Sequence, residues 1–465
     1  QIETQDGQVV DVVMRGASLT AGGTAEAIAW SIDKKVFTHA RRLLEEWRTA
    51  HERRYGAGSW AAAGGPAPGS IGLHRLTEDT LLMSDTCNAA RACKRLLAEA
   101  AMASLRAEVG EAAWAALSEE QRAAKGNVYI GECHAHLRNI IINAMANAAT
   151  DHLKDELSDS LAEFSSFDRM SVDGNDLIRA VFKELHEGGE YAKGKGREFK
   201  AWVQTHYPDL VAMPFACANG SRQDIAFDGA VPIFVMRKII LEFLKSLIVP
   251  GADNKLENFL WRVLGCNEMT ALLRVNTLWK YIFSEPARWL AGKGSSLKDW
   301  SIDRSSGVLD LIEDAMVKIA ADGHTLLDPS FDPFASIAKE QPAFRDWRAH
   351  KMLASDGIHR ATLSEARSPT GAGNAQATER VVALAEKMAN AALVAMRDPR
   401  RAICSLLTSQ GGEFCMGSDP SKHKATAGAH VTNCRVESNF GCVDILMRMF
   451  RYTTVENISG VYIDP

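Results

Sequence analysis

A short apolar run that ends at an aspartate and leads directly into a helical pattern constrains this chain more than any other feature. Residues 81–83 are Leu, Leu and Met, Asp85 follows Ser84, and apolar residues recur at helical spacing over 89–100. This order predicts a buried strand, a turn and a helix. Asp85 then ends a strand, where ligands of parallel sheets gather. Its carboxylate either binds a divalent metal ion or caps the following helix, and the local sequence leaves both open.

The patterns around Asp85 alternate between strand and helix over about the first 150 residues. The apolar run at 9–13, which continues towards Leu19, and the short run at 128–130 predict strands, and a long helical stripe follows Thr24 without a break before Gly56. A helix is predicted to begin near His134. From about 150 to 425 the periodicity is mostly helical, and Asn433 is a fair N-cap for a final helix. The chain therefore has an α/β pattern at its start and a helical pattern after it.

The composition fits an intracellular protein of several domains. The 465 residues, 46% of them hydrophobic, can build two or three cores. Nine cysteines form no Cys-x-x-Cys pair, which favours a reducing compartment. The formal net charge of −5 gives no global basic signature, so DNA binding would depend on local patches.

Neither a membrane span nor a signal peptide is predicted. The most apolar stretch, 231–250, contains Arg237, Lys238, Glu242 and Lys245, so we expect an amphipathic helix there. The chain begins at Gln1 with no signal-peptide pattern, and we expect it to be a fragment of a longer protein.

Two further segments contain residue types that can bind metal ions. Cys133, His136 and Asn139 follow one another at the start of a predicted helix. A cysteine and a histidine at this spacing can share a metal ion, but zinc needs more ligands than these two, and a packing thiol beside a hydrogen-bonded imidazole is the alternative. Glu437 lies in the first turn of the last predicted helix, where the helix dipole favours any carboxylate.

Basic residues that can contact a DNA backbone fall in three places. They are Arg222, the cluster Lys193, Lys195, Arg197 and Lys200, and the cluster Arg397, Arg400 and Arg401. Such residues also pair with acidic neighbours or form solvated faces, so the sequence leaves both roles open.

Together these features resemble the hobo/Activator-type (hAT-like) transposases. The run from Ser84 to Asn88 fits the family's aspartate motif, and Cys133, His136 and Asn139 match its Cys-x-x-His-x-x-Asn signature position by position. Glu437 corresponds to the family's final glutamate. The resemblance covers about residues 8–150 and 430–460.

The resemblance implies an α/β fold. Its ribonuclease H-like core, a mixed sheet flanked by helices, would be interrupted by a large all-α insertion domain. Residues 1–150 would form the first part of the core without its first strands, 151–425 the insertion domain, and 426–465 the C-terminal helix that completes the core. The first catalytic aspartate would lie upstream of the chain.

The resemblance also implies a function. A DDE-type transposase cleaves and transfers DNA strands with two divalent cations, Mg²⁺ or Mn²⁺, and here Asp85 and Glu437 would be the metal ligands. Cys133, His136 and Asn139 would lie near the site. The residues expected to contact DNA are Arg222, Lys193, Lys195 and Arg197.

The same resemblance implies a nuclear location, transposon ends and target DNA as partners, and a possible homo-oligomer, without a membrane partner. Because the first aspartate is missing, we expect the chain to be active only in its intact form. The alternative is a degenerate or domesticated relative that binds DNA or protein without catalysis. A third possibility is a helical scaffold protein unrelated to transposases.

Overall fold

The structure is a computed structural model that describes thirteen stretches of the chain. They are residues 2–3, 9–10, 38–62, 80–84, 88–126, 128–161, 174–185, 194–208, 225–248, 255–293, 302–353, 358–368 and 375–411.

Four short strands form two separate pairs within these stretches. Strands β1 (Ile2–Glu3) and β2 (Val9–Val10) pair antiparallel. Strands β3 (Thr80–Ser84) and β4 (Val128–Glu132) pair parallel, with Thr80 opposite Val128 and Ser84 opposite Glu132. Both strands of the parallel pair are packed against the helix that follows β3.

Helices make up most of the remaining described residues. The α-helices are α1 (Thr38–Tyr55), α2 (Ser59–Ala62), α3 (Asn88–Val109), α4 (Glu111–Ala115), α5 (Glu119–Lys125), α6 (His134–Leu161), α7 (Gly174–Leu185), α8 (Gly196–His206), α9 (Ile225–Leu247), α10 (Lys255–Gly265), α11 (Asn267–Trp279), α12 (Glu285–Lys293), α13 (Ile302–Ala321), α14 (His324–Leu327), α15 (Ala335–Glu340), α16 (Pro342–Leu353), α17 (Ile358–Arg367) and α18 (Ala375–Arg397). A π-helix (Lys280–Ser284) joins α11 to α12, and the 3-10 helices Ala402–Leu406 and Thr408–Gln410 follow α18.

The predicted fold class, an α/β ribonuclease H-like core, is wrong for the described residues. They are overwhelmingly helical, and their strands do not join into a mixed sheet. The run at 8–19 contributes only Val9–Val10, and this strand pairs with Ile2–Glu3 instead of with β3. The prediction failed because a strand pattern is local and does not specify which strand it pairs with.

The chain divides into two compact units. The first comprises the described residues of Gln1–Leu137 and Ala291–Ile302, and the second comprises those of Arg138–Leu290 and Asp303–Ser418. The predicted domain limits at 150 and 425 stay a prediction.

The core of the second unit is built around α9 and α11. Helix α9 packs against α7, α10 and α11, while α11 also packs against α17 and α18. Arg274 of α11 is completely buried, and its guanidinium donates hydrogen bonds to the carbonyl oxygens of Ala366 (2.5 Å) and Ser368 (2.6 Å). These bonds satisfy carbonyls at the end of α17 that lack partners within the helix. Arg274 therefore ties α17 to the centre of the unit.

Two glycines mark places where segments of this unit approach closely. A Cβ atom at Gly229 of α9 would lie 2.3 Å from the Ile178 Cγ2 atom of α7. At Gly323 a Cβ atom would lie 2.4 Å from the backbone oxygen of Val382. Real Cβ atoms do not approach so closely, so these contacts require glycine.

Among the described helices, none is long and apolar enough to cross a membrane. The apolar stretch predicted as an amphipathic helix falls largely on α9.

Candidate functional site

The carboxyl ends of β3 and β4 form the candidate site that the sequence predicts. Ser84 and Glu132 are the last residues of these parallel strands and stand opposite each other. Residue 85 is joined to Ser84 and residue 133 to Glu132, so the chain leaves both strands at the same edge. Asp85 itself lies outside the described residues.

The register also brings a residue to this edge that the sequence reasoning missed. Glu132 ends β4 at the position opposite Ser84. The sequence could have indicated Glu132 as a candidate, because it directly precedes Cys133 at the end of a predicted strand.

The Cys-x-x-His-x-x-Asn residues lie at the start of α6. Cys133 directly precedes the helix and is completely buried, and His136 is half-buried. Asn139 is 5% exposed, and its Nδ2 atom has no hydrogen-bond partner in the structure. A buried amide without a partner is uncommon in proteins.

The remaining predicted site residues separate into two groups. Glu437, Arg222 and Lys193 lie outside the described residues. Lys195 and Arg197 are described at the start of α8. Lys195 Nζ lies 3.0 Å from Glu198 Oε1, and this hydrogen bond raises the pKa of the Lys195 ammonium. Arg197 is exposed, as is Lys200 one turn later.

The second basic cluster is paired with carboxylates of the chain. Arg397 Nε lies 2.6 Å from Glu313 Oε1. Arg400 Nε lies 2.9 Å from Asp398 Oδ1, and Arg401 lies 3.5 Å from the other oxygen of that carboxylate. Hydrogen bonds from Arg400 hold the pKa of Asp398 at about 2. Carboxylates of the same chain therefore largely balance the positive charges of these three arginines.

Within the described stretches, no group of three or more histidine, cysteine, aspartate or glutamate side chains is arranged to hold a metal ion. The residues predicted to bind Mg²⁺ or Mn²⁺, Asp85 and Glu437, lie outside these stretches.

Two buried glutamates form a cluster that the sequence reasoning missed. Glu184 near the end of α7 is 7% exposed and Glu257 in the first turn of α10 is 5% exposed. Burial, followed by the negative charge of Glu257, raises the pKa of Glu184 to about 7, although Lys195 acts in the opposite direction. Such a carboxyl group can gain and lose a proton near neutral pH. No local sequence pattern predicts this pair of glutamates, because they lie on separate helices.

The π-helix between α11 and α12 is the second feature that was missed. Pro286 has no N–H group, so it cannot donate to the carbonyl of Ile282 as an α-helix requires. The N–H group of Glu285 instead donates to the oxygen of Lys280, five residues earlier. Pro286 thus accounts for the widened turn, and such turns often occur at functional sites.

A cavity lies beside this π-helix, wholly within the second unit. Its lining includes Trp279, the last residue of α11, and Phe283 and Ser284 of the π-helix. Trp279 is completely buried and Ser284 is 3% exposed. Neither Trp279 Nε1 nor Ser284 Oγ has a hydrogen-bond partner in the structure. The accessible surface of the cavity is wholly apolar, so these two buried polar atoms do not face into it.

An ion cluster lies next to the same segment. Asp228 Oδ1 lies 3.0 Å from Lys280 Nζ, and Oδ2 lies 3.0 Å from the guanidinium of Arg288. Burial alone would raise the pKa of Asp228, but the two cations outweigh it and hold that pKa below its ordinary value. Asp228 is therefore ionised and neutralised by its partners.

Comparisons with family models, with curated proteins and with solved structures found no match for this chain. Its function must be argued from its own residues.

Proposed function

We propose that the chain is a transposase-like protein that cleaves and transfers DNA strands in its intact form. In this proposal Asp85 and Glu437 are ligands of Mg²⁺ or Mn²⁺, and DNA is the partner. The observation that supports it best is the parallel pairing of β3 and β4, with Ser84 opposite Glu132. The proposal does not include a ribonuclease H-like sheet.

Residue 85 occupies the position on which the metal chemistry depends. In the sequence it directly follows Ser84, the last residue of β3, and Ser84 stands opposite Glu132 at the end of β4. Carboxylates close together at such an edge can hold two metal ions that activate water and stabilise the leaving oxygen of a phosphodiester. Glu132 adds a carboxylate-bearing residue at the same edge, and Glu437 is the ligand proposed from the distant part of the chain.

Strand cleavage of labelled duplex DNA tests this proposal. We expect the protein in its intact form to cleave DNA in Mg²⁺ or Mn²⁺ and not in a chelator. Asp85→Asn and Glu437→Gln should each reduce cleavage to background, because each removes a metal ligand. Asp151→Asn is the matched control, since Asp151 is an exposed aspartate of α6. Cleavage that survives Asp85→Asn would refute the catalytic assignment.

A second candidate is a transposase-derived protein that binds DNA without cleaving it. The observation that favours it is the exposure of Arg197 and Lys200 on α8, beside Lys195. Exposed cations that contact phosphates release counterions, so the affinity falls steeply with salt.

Salt-dependent DNA binding tests this second candidate. Replacing Arg197 and Lys200 with glutamine should lower the slope of log affinity against log salt by about one for each phosphate that the variant no longer neutralises. The control replaces Lys238 and Lys245, two exposed lysines of α9, in the same way. Equal slopes for the two double variants would refute a role for α8 in DNA binding. Binding without any metal-dependent cleavage would favour this candidate over the first.

A further inference from the structure

The start of α8 is fixed to the carboxyl end of α7 by its backbone. The N–H group of Lys195, the residue before α8, donates a hydrogen bond of 2.6 Å to the carbonyl oxygen of Glu184. A Cβ atom at Gly194 would lie 2.3 Å from the carbonyl oxygen of Lys183, so this approach requires glycine. The turn formed by Gly194 and Lys195 therefore lies directly on the last turn of α7.

Two buried carboxyl groups belong to the same junction. Glu184 is the second-last residue of α7, and Glu257 lies in the first turn of α10, which packs against α7. The first turn of a helix stabilises a negative charge, whereas the last turn disfavours it. Burial, followed by the charge of Glu257, raises the pKa of Glu184 to about 7. Glu184 is therefore the carboxyl group that gains and loses a proton near neutral pH.

The charged groups closest in sequence to this junction compensate an ionised Glu184 only in part. Lys183 and Lys195 lower the pKa of Glu184, but Lys183 is exposed. Lys195 Nζ lies 3.0 Å from Glu198 Oε1, and the charge of Glu198 acts against it by raising the same pKa. An ionised Glu184 that stayed buried would thus repel Glu257 without a cation of its own.

The other charged residues of the packed helices are exposed or engaged elsewhere. On α10, Arg262 is exposed, and on α9, which also packs against α7, Lys238 and Lys245 are exposed. The remaining charged residues of α9 have partners on other elements: Asp228 with Lys280 and Arg288, Glu242 with Tyr207, and Arg237 with the carbonyl oxygen of Leu264. Relief of the repulsion therefore requires water to reach the end of α7.

The α8 helix is the element of this junction that can move most easily. Its main packing partners among the described helices are α7 and α9, whereas α10 packs against α7, α9 and α11. A helix of 11 residues is marginal by itself in water, so the position of α8 depends on these contacts. Separation of the turn at Gly194 from α7 would admit water beside Glu184.

We propose that this junction is a pH-dependent latch: the start of α8 is docked on α7 while the Glu184 carboxyl group carries its proton, and loss of that proton favours release of α8. Because α8 bears Arg197 and Lys200, the latch would also control the helix proposed to contact DNA. That consequence rests on the proposed function, whereas the latch itself does not.

Hydrogen–deuterium exchange of the backbone N–H groups of α8, measured on the full chain without DNA, tests the latch. Each exchange rate is divided by that of an unstructured peptide at the same pH, which gives a protection factor. In the released state Glu184 titrates near its ordinary value of 4.5. The protection of α8 should therefore fall by about 40-fold between pH 5 and pH 7 and then level off.

Helix α18, whose main packing partner is α11, is the internal reference. At pH 8 its protection should exceed that of α8 by at least about tenfold, because α8 opens locally. Equal protection of α8 and α18 at every pH would show that both open only with the whole unit, and would overturn the latch. Release of α8 in a protein that does not bind DNA would refute the DNA-binding role and leave the latch standing.

Two variants assign the effect to the carboxyl pair. Glu184→Gln keeps the size of the side chain and cannot ionise, so the protection of α8 should no longer depend on pH. Glu379→Gln, at an exposed glutamate of α18, is the control and should behave as the wild type. Glu257→Gln removes the neighbouring charge and should make the fall smaller, which tests the latch if Glu184→Gln does not fold. A wild-type pH profile in either junction variant, or no pH dependence in the wild type, would overturn the proposal.

Discussion

Replacing Glu184 with glutamine should remove a pH-dependent loss of stability from the folded chain. Glu184 is almost completely buried, and burial together with the charge of Glu257 raises its pKa to about 7. In the unfolded chain the same carboxyl group titrates near its ordinary value of 4.5. Between these two values the unfolded state releases the proton while the folded state keeps it.

The direction and the size of the effect follow from this difference. Below about pH 4.5 both states are protonated, so the stabilising contribution is fully present. As pH rises toward 7 the free energy of unfolding falls, because the unfolded state is favoured by ionisation. The difference between 4.5 and about 7 corresponds to a loss of about 3 kcal/mol. The amide of Glu184→Gln cannot ionise, so this loss should be absent from the variant.

Urea unfolding at several pH values measures the effect. The free energy of unfolding of Glu184→Gln, minus that of the wild type, should rise by about 3 kcal/mol between pH 4.5 and pH 8. Glu379→Gln is the control, since Glu379 is an exposed glutamate of α18 that does not act on Glu184, and it should show no such rise. A difference between Glu184→Gln and wild type that stays constant with pH would refute the reasoning.

Three further substitutions test the packing of the second unit. Arg274→Met should lower the free energy of unfolding in urea by about 2–4 kcal/mol, because it removes two hydrogen bonds and leaves the buried carbonyl of Ala366 without its donor. Gly323→Ala should cost about 1–3 kcal/mol in the same assay, since its Cβ atom would meet a backbone oxygen. Gly265→Ala, which has open space, should cost less, and equal costs would contradict this explanation. Glu313→Gln should lower the melting temperature in calorimetry, because it removes the buried charge paired with Arg397, whereas an unchanged melting temperature would show that the pair is not stabilising.

Individual elements of this chain could be predicted better than its fold. The strand predicted around 81–83 corresponds to Thr80–Ser84, and the one predicted at 128–130 corresponds to Val128–Glu132. The helix predicted to begin near His134 is α6, which begins at that residue. These features depend on neighbouring residues, whose periodicity can be read directly.

The fold class could not be predicted in this way, because strand pairing is set by residues far apart in the chain. Val9–Val10 has the composition of a strand, but nothing in its alternation indicates that Ile2–Glu3 is its partner. The proximity of Glu184 and Glu257 likewise arises only when α7 and α10 pack together. The π-helix is different, since Pro286 within a long helical pattern was a readable sign of a disturbed helix.

The most direct test of the central claim is Mn²⁺ binding, followed by electron paramagnetic resonance in the presence of duplex DNA. We predict that the full chain binds Mn²⁺, that Asp85→Asn and Glu437→Gln each weaken this binding strongly, and that Asp151→Asn does not. Equal Mn²⁺ binding by all four proteins would contradict the proposal that Asp85 and Glu437 form a metal site.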